Sequence, residues 1–388
     1  VFQEAYVAER IGNPLASNYL LNGMNVKPDG SAGKRFQQTF VAGKKYLIRL
    51  INTSVENFMT VAIDGHTMTV ISSDFVPIKP YTTNGVKINI GQRYDVIVTA
   101  NQPVSNYWLR AMVGQCSQNA NNGLGSIANG IITYQGASTG TLPKTSPVSF
   151  SGTCADEPAA SLVPILTKSV DSSSFASHVQ ILPAGPSSIS STNGIVFRWT
   201  LNGISEVVDW AEPTLIDIAS GQNNFSRAEN VVTLPTANVW VYFVVESQMP
   251  MEHPFHIHGH DFSILGTGTG TFSTSQTSQL NFASPVRRDV ATLPASGWTV
   301  IAFKTDNPGA WLLHCHIAWH ASEGLSIQFL EVPSQIPANY PVSAAQQKTC
   351  ANWKAYEASG PVYKQTDSGL KKRHLARHAR HHSSHRAF

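Results

Sequence analysis

Gly297-Trp-Thr-Val-Ile-Ala-Phe303, followed through Pro308 by Trp311-Leu-Leu-His314-Cys315-His316-Ile-Ala-Trp-His320, is the stretch that decides the fold. Two apolar runs flanking turn residues read as neighbouring strands, and the second ends in His-Cys-His. Side chains alternate along a strand, so His314 and His316 point one way and Cys315 the other. The run His253-Pro-Phe-His256-Ile-His258-Gly-His260 reads the same way. His256 and His258 share a face; His253, three residues earlier, takes the opposite one. One pair of segments therefore feeds two metal sites, Cys315 with His253 on one side and a four-histidine half-site on the other. His320 lies five residues past Cys315, beyond the strand, where the chain can curl back to the sulfur.

The pattern has an earlier echo. Gly91-Gln-Arg-Tyr-Asp-Val-Ile-Val98 leads through Pro103 to Trp108-Leu109, then runs into Arg110-Ala-Met112 in place of ligands. Short apolar or alternating runs recur at Lys45–Ile51, Met68–Ile71, Tyr94–Thr99, Val239–Val245, Val300–Phe303 and Leu325–Leu330, with turn residues between them. Only Ala344–Glu357 reads as a helix, short and near the end. The expected fold is all-β: two Greek-key β-sandwich or barrel domains, one with metal ligands and one without. The divisions fall at 1–150, 151–362 and a tail at 363–388, with the boundary inside the Ser/Thr/Pro-rich Gly136–Ala160.

Composition narrows the class. Charged residues are only 13% of 388, and no apolar run reaches the ~18 residues a membrane span needs. The net charge of +3 comes from the tail: six of the 27 Lys and Arg fall in the last eighteen residues, which hold no acid. The rest carries 21 basic against 24 acidic residues, so neither nucleic acid nor membrane is expected as a partner. Gly266-Thr-Gly-Thr-Gly-Thr271 lacks the order of a phosphate-binding loop and is expected to be a flexible loop. His66, in Asp-Gly-His-Thr, is expected at a turn or between domains, and His178 in a solvated Ser-rich loop. Asn52-Thr-Ser and Asn224-Phe-Ser are N-glycosylation sequons, although Asn52 could instead cap the strand before it.

One thiolate with two imidazoles is the ligand set of a blue-copper electron-transfer centre, whose weak axial ligand is often methionine. Ten residues past Cys315 this chain has Leu325, which cannot ligate. A copper without a thioether favours the reduced state and is the stronger oxidant. Structural zinc fits poorly, since it prefers several thiolates.

HPFHIHGH with HCHIAWH resembles the third and fourth copper motifs of the multicopper oxidases, and the wider sequence resembles a fungal laccase of the ascomycete type. Arg49–Asn57, Gly65–Asp74, Gly91–Val98, Ser284–Val290 and Asp367–Leu370 carry the likeness, which covers roughly residues 1 to 370. It implies cupredoxin-like domains, and a type 1 copper on His253, Cys315 and His320 with Leu325 axial. His256 would bind type 2 copper; His258, His314 and His316 would bind the type 3 pair. His260 would be a hydrogen-bonding neighbour. Phenols or aromatic amines would give up single electrons beside His320 and Trp319, and dioxygen would become water at the three-copper cluster.

The family completes that cluster with two His-x-His pairs from an N-terminal cupredoxin domain. Residues 1–250 here contain only His66 and His178. The chain is therefore expected to be the second and third domains, with the first missing and the full-length form a secreted, extracellular monomer. The resemblance also pairs Cys116 with Cys154 and leaves Cys350 for a cysteine of the missing domain. Asp367-Ser-Gly-Leu370 before Lys371-Lys-Arg resembles a processing site that removes the basic tail. Asn84 stands where fungal laccases place a carboxylate near the electron-accepting histidine; an amide is no base, so phenol oxidation is expected to be slow. The alternatives are a ferroxidase or ascorbate oxidase, or a copper-binding electron-transfer fragment without oxidase activity.

Overall fold

The structure is a computed structural model that describes residues 16, 18–27, 29–116, 127–149, 153–191 and 194–359. The tail at 363–388, with its Asp367–Leu370 motif, lies outside them.

Among the described residues of 37–134 there are nine strands. They are β1 (Gln37–Phe40), β2 (Lys45–Ile51), β3 (Met59–Ile63), β4 (Met68–Ser73), β5 (Val76–Thr83), β6 (Val86–Ile88), β7 (Arg93–Thr99), β8 (Asn106–Val113) and β9 (Ile127–Tyr134). They form two sheets, ordered β1-β9-β8-β3-β6 and β2-β7-β4-β5. The period-2 pattern of Arg93–Thr99 explains the packing: Tyr94, Val96 and Val98 are fully buried, while their neighbours are half-exposed. Residues 154–165 run along this sandwich, bridging Ile78 to Pro164 and burying Leu162 in its core.

The remaining strands are β10 (Val179–Ser191), β11 (Gly194–Leu201), β12 (Val231–Leu234), β13 (Trp240–Ser247), β14 (His253–Ile257) and β15 (Phe262–Thr269). After them come β16 (Val286–Arg288), β17 (Val290–Leu293), β18 (Gly297–Lys304), β19 (Gly309–Cys315) and β20 (Ser326–Glu331). A six-stranded sheet, β11-β10-β13-β18-β15-β16, faces a five-stranded one, β12-β20-β19-β14-β17. The parallel pairs β1 with β9, β10 with β13 and β12 with β20 join strands far apart in sequence, as Greek-key crossing requires. Phe243, Phe303 and Phe329 stack between the sheets, and Cys315 and Leu325 belong to the same core. The helix at the end spans Ala344–Ser359.

One local expectation changes, at Gly266–Thr271, while His66 and His178 take up the turn and exposed positions expected of them. Gly266 and Gly268 are strand residues of β15, not a flexible loop. A Cβ at Gly268 would collide with the Trp298 indole, so glycine there lets the ring lie flat on the strand. His66 is a buried turn residue of the first sandwich, bonded to the Asp64 carbonyl (2.9 Å) and the Tyr134 hydroxyl (2.7 Å), and not an interdomain group. His178 closes the short helix Phe175–His178, exposed, with Nδ1 2.9 Å from the Ser174 carbonyl. Where the first sandwich runs into Arg110, the guanidinium donates to both oxygens of buried Asp64 at 2.9 and 2.8 Å.

Candidate metal centre

Strands β14 and β19 lie antiparallel with Phe255 opposite Cys315 and His256 opposite His314. Facing residues of an antiparallel pair share a side, so the pleat separates Cys315, Phe255 and His253 from His256 and His314. On the sulfur side three ligand atoms converge. Cys315 Sγ is 3.7 Å from Nδ1 of both His253 and His320, and the two Nδ1 atoms are 3.2 Å apart. An ion held at ~2.3 Å by sulfur and ~2.0 Å by nitrogen in a trigonal plane needs a sulfur–nitrogen edge of about 3.7 Å. The donor set therefore fits a copper. His320 reaches the site from the short helix Ala318–Ser322, which turns the chain back to the cysteine.

Leu325 straps this loop down. Its N–H donates to the His320 carbonyl and its carbonyl accepts the Cys315 N–H, both at 3.0 Å. Its fully buried side chain offers only methyl groups.

Burial lowers His253 to about 4 and His320 to about 2, with the neighbouring His253 adding to the second shift. It lowers His314 to about 3 and pushes the Cys315 thiol well up. The imidazoles are thus neutral, as ligands must be, while the thiol must lose its proton to bind. Histidine in the unfolded chain titrates at about 6.5, so below that pH the unfolded state binds more protons. These three imidazoles contribute stability that is full above about pH 6.5 and is lost by up to ~1.4 kcal/mol per unit for each as pH falls toward 4, whereas the buried carboxyls of Glu206 and Glu323, both raised to about 7, add stability over the same fall. Urea titrations at pH 7 and pH 5 of the metal-free chain and of its His320→Gln variant check this: the variant should gain stability relative to the parent as pH falls, and an identical pH response in both would contradict it.

On the other side His256, His258, His314 and His316 form a loose group. His258 and His314 bring their Nε2 atoms within 3.1 Å, and the His256 ring lies 5.6 and 5.7 Å from those of His314 and His316. Nδ1–H of His256 donates to the Asp289 carbonyl (2.7 Å) and that of His314 to the Cys315 carbonyl (2.9 Å). Both rings are thereby turned with Nε2 outward. The first sandwich supports this face. Gly91 has φ +83°, and a Cβ there would strike the His316 ring. Arg93 grips both oxygens of Asp289 at 2.6 and 2.5 Å. His260 points away from the group and bonds Glu331 at 2.6 Å.

Asn84 is exposed in the turn joining β5 to β6. The carboxylate that meets the His320 helix is Glu56, which the motif reading passed over. The Ala318 N–H donates to the Val55 carbonyl (3.0 Å), and the Trp319 indole N–H faces the Glu56 carboxyl. Burial raises the Glu56 pKa and the indole offsets part of that. Its only signal in the sequence was its place inside Arg49–Asn57, a stretch without ligands. Cys116 and Cys154 form the expected disulfide, and Cys350 is free. Asn52 is buried, its amide donating to the Asn57 and Ile88 carbonyls, which favours its capping role over a sugar. Asn224 is exposed.

A buried cysteine and two buried histidines on one side of β19, with four more imidazoles on the other, make a donor set of the cupredoxin copper type in a Greek-key sandwich. The chain belongs to the multicopper oxidase family, whose models, both described as "Multicopper oxidase", match residues 2–137 and 187–335. Within it the chain is of the fungal laccase type. It is 44% identical over 339 residues to Laccase-3 of Botryotinia fuckeliana, covering 84% of this chain and 73% of that protein. It is 43% identical to Laccase-2 of the same fungus, covering 95% and 64%. The crystal structure of the laccase from Botrytis aclada superposes with a TM-score of 0.81 at 41% identity, covering 94% of this chain and 68% of that one. Family membership implies copper binding. The chain spans about two-thirds to three-quarters of the length of these relatives. Among the described residues, no helix is long and apolar enough to cross a membrane.

Proposed function

We propose that this chain is the electron-accepting part of a laccase: it takes single electrons from phenols or aromatic amines beside His320, and the complete protein passes them on to dioxygen, forming water. The observation that carries this is the opposed placement of Cys315 and its two sequence neighbours. His253, Cys315 and His320 would hold the type 1 copper, with Leu325 axial, His256 the type 2 copper, and His258, His314 and His316 the type 3 pair. Copper would supply the one-electron chemistry at the first site and dioxygen reduction at the second. Single peptide units join Cys315 to His314 and His316, so the two ligand sets are covalently continuous. The four-histidine face is completed, in this reading, by the two His-x-His pairs of an N-terminal cupredoxin domain, in a secreted, monomeric full-length protein. The domain limits at 150 and 362 belong to the same reading.

Trp319 and His320 would form the floor of the substrate pocket. Glu56 is the carboxylate placed to accept the phenol proton as the electron leaves; Asn84, exposed in its turn, would contribute a hydrogen bond at most. Glu56→Gln is expected to slow phenol oxidation by roughly 100-fold and leave a non-phenolic donor nearly unaffected. Stopped-flow bleaching of the copper-loaded chain measures both rates, and Asn84→Asp is the companion variant. Equal slowing of both donors by Glu56→Gln would overturn the assignment. Leu325→Met should add a thioether to the oxidised copper and lower its reduction potential, as redox titration would show.

A further inference from the structure

Behind the His320 imidazole lies a buried group that none of the copper motifs includes. Trp199, near the end of β11, packs its indole against His320 with ring centroids 4.2 Å apart and planes inclined by 31°. The same indole meets the His253 ring edge-on at 5.0 Å. Its N–H is directed at the Glu323 carboxyl, whose pKa burial raises to about 7 while the Arg198 guanidinium and the indole bond offset part of that rise. Trp199, Arg198 and Glu323 are all buried, as is His320.

The backbone fixes the same arrangement. The Trp199 N–H donates to the Glu323 carbonyl (2.9 Å), the Ser205 hydroxyl to that same carbonyl (3.0 Å), and the Glu206 N–H to the Gly324 carbonyl (3.0 Å). The turn that follows His320 is thus stitched to β11 and the loop after it. A carboxylate taken this far from water is costly unless its lone pairs are used. Here they are used on an indole that touches both histidines.

We propose that Glu323 is a positioning residue for His320: its carboxylate, flanked by Arg198, fixes the Trp199 indole against one face of the imidazole, leaving the ring edge as the approach for a donor. The role in electron acceptance rests on the reading of His320 as a copper ligand; the positioning itself does not. With copper bound, the ligand imidazole carries part of the metal's charge, and the electron-rich face of the indole stabilises it. An indole free to turn would hold the oxidised site less uniformly.

The first test uses the metal-free chain labelled with 15N-tryptophan. The indole N–H signal that disappears in Trp199→Phe should exchange slowly with solvent. Glu323→Ala should shift it and speed its exchange by about ten-fold or more, while Glu323→Gln, which keeps an acceptor oxygen, should restore it. A Trp199 signal unchanged in Glu323→Ala would overturn the proposal. If that variant fails to fold, Glu323→Met, of similar length but without a strong acceptor, serves the same purpose. In the copper-loaded chain, Glu323→Ala should broaden the type 1 EPR signal and move the blue absorption, and Glu323→Gln should return both toward the parent. A colourless parent would refute the copper reading and leave the indole measurement to decide the positioning. A blue Glu323→Ala protein with parental spectra would reduce Glu323 to a structural buttress.

Discussion

Cys315→Ser should abolish the blue copper site while leaving the metal-free chain folded. Cys315 is fully buried, and its sulfur is the soft ligand of the convergent set. A buried serine hydroxyl keeps its proton far more tightly than a thiol does and offers no soft donor. Even partners outside the ligand set are worth 10–100-fold in metal affinity, so loss of the thiolate should cost more than about 100-fold. The fold should tolerate the change, because Ser and Cys are close in size and the Cys315 N–H keeps its bond to the Leu325 carbonyl. Copper titration followed by visible absorption, with urea unfolding of the metal-free variant alongside, measures both halves. A variant that stays blue would contradict the ligand assignment.

Asp74→Ala is expected to be the most damaging change away from the metal centre. Arg288 of β16 is completely buried, and its guanidinium donates to the equally buried Asp74 at 2.9 Å. The carboxylate also accepts the N–H groups of Arg93 (2.8 Å) and Val290 (3.1 Å), so it ties β7 of the first sandwich to β16 and β17 of the second. The Tyr94 hydroxyl (3.2 Å) and more distant Asp156 (3.9 Å) are the guanidinium's other neighbours. Removing one partner of such a pair strands the other charge out of water, at a cost of about 3–5 kcal/mol. Asp74→Asn, which keeps acceptor and shape, should cost clearly less. Urea midpoints at unchanged slope would give the ordering. Because Arg93 also grips Asp289, whose carbonyl orients His256, Asp74→Ala should loosen the four-histidine face as well.

The period-2 runs at Lys45–Ile51 and Tyr94–Thr99 form strands because alternation and β-branched residues act locally, and the wholly apolar Val300–Phe303 forms part of a strand buried on both faces. The Cys315, His253 and His320 grouping was legible for the same reason: pleating is a property of the strand itself. What the sequence hid was non-local. Glu56 and Trp319 meet only after two sandwiches dock, and Arg198, Trp199 and Glu323 meet only when β11 closes over the helix that bears His320. Neither arrangement has a spacing that a motif could register. Gly266–Thr271 reads as a loop because glycine and threonine together signal one by composition; the ring of Trp298, thirty residues on, makes Gly268 a strand residue.

One strand pleat is expected to send the sulfur of Cys315 and the imidazoles of His314 and His316 to two different metal sites. Copper K-edge absorption of the chain loaded with one equivalent of copper tests it most directly. The predicted shell holds one short copper–sulfur bond and two imidazole nitrogens, in a blue protein. A shell of nitrogen and oxygen alone, identical in Cys315→Ser, would place the metal on the four-histidine face and contradict the account.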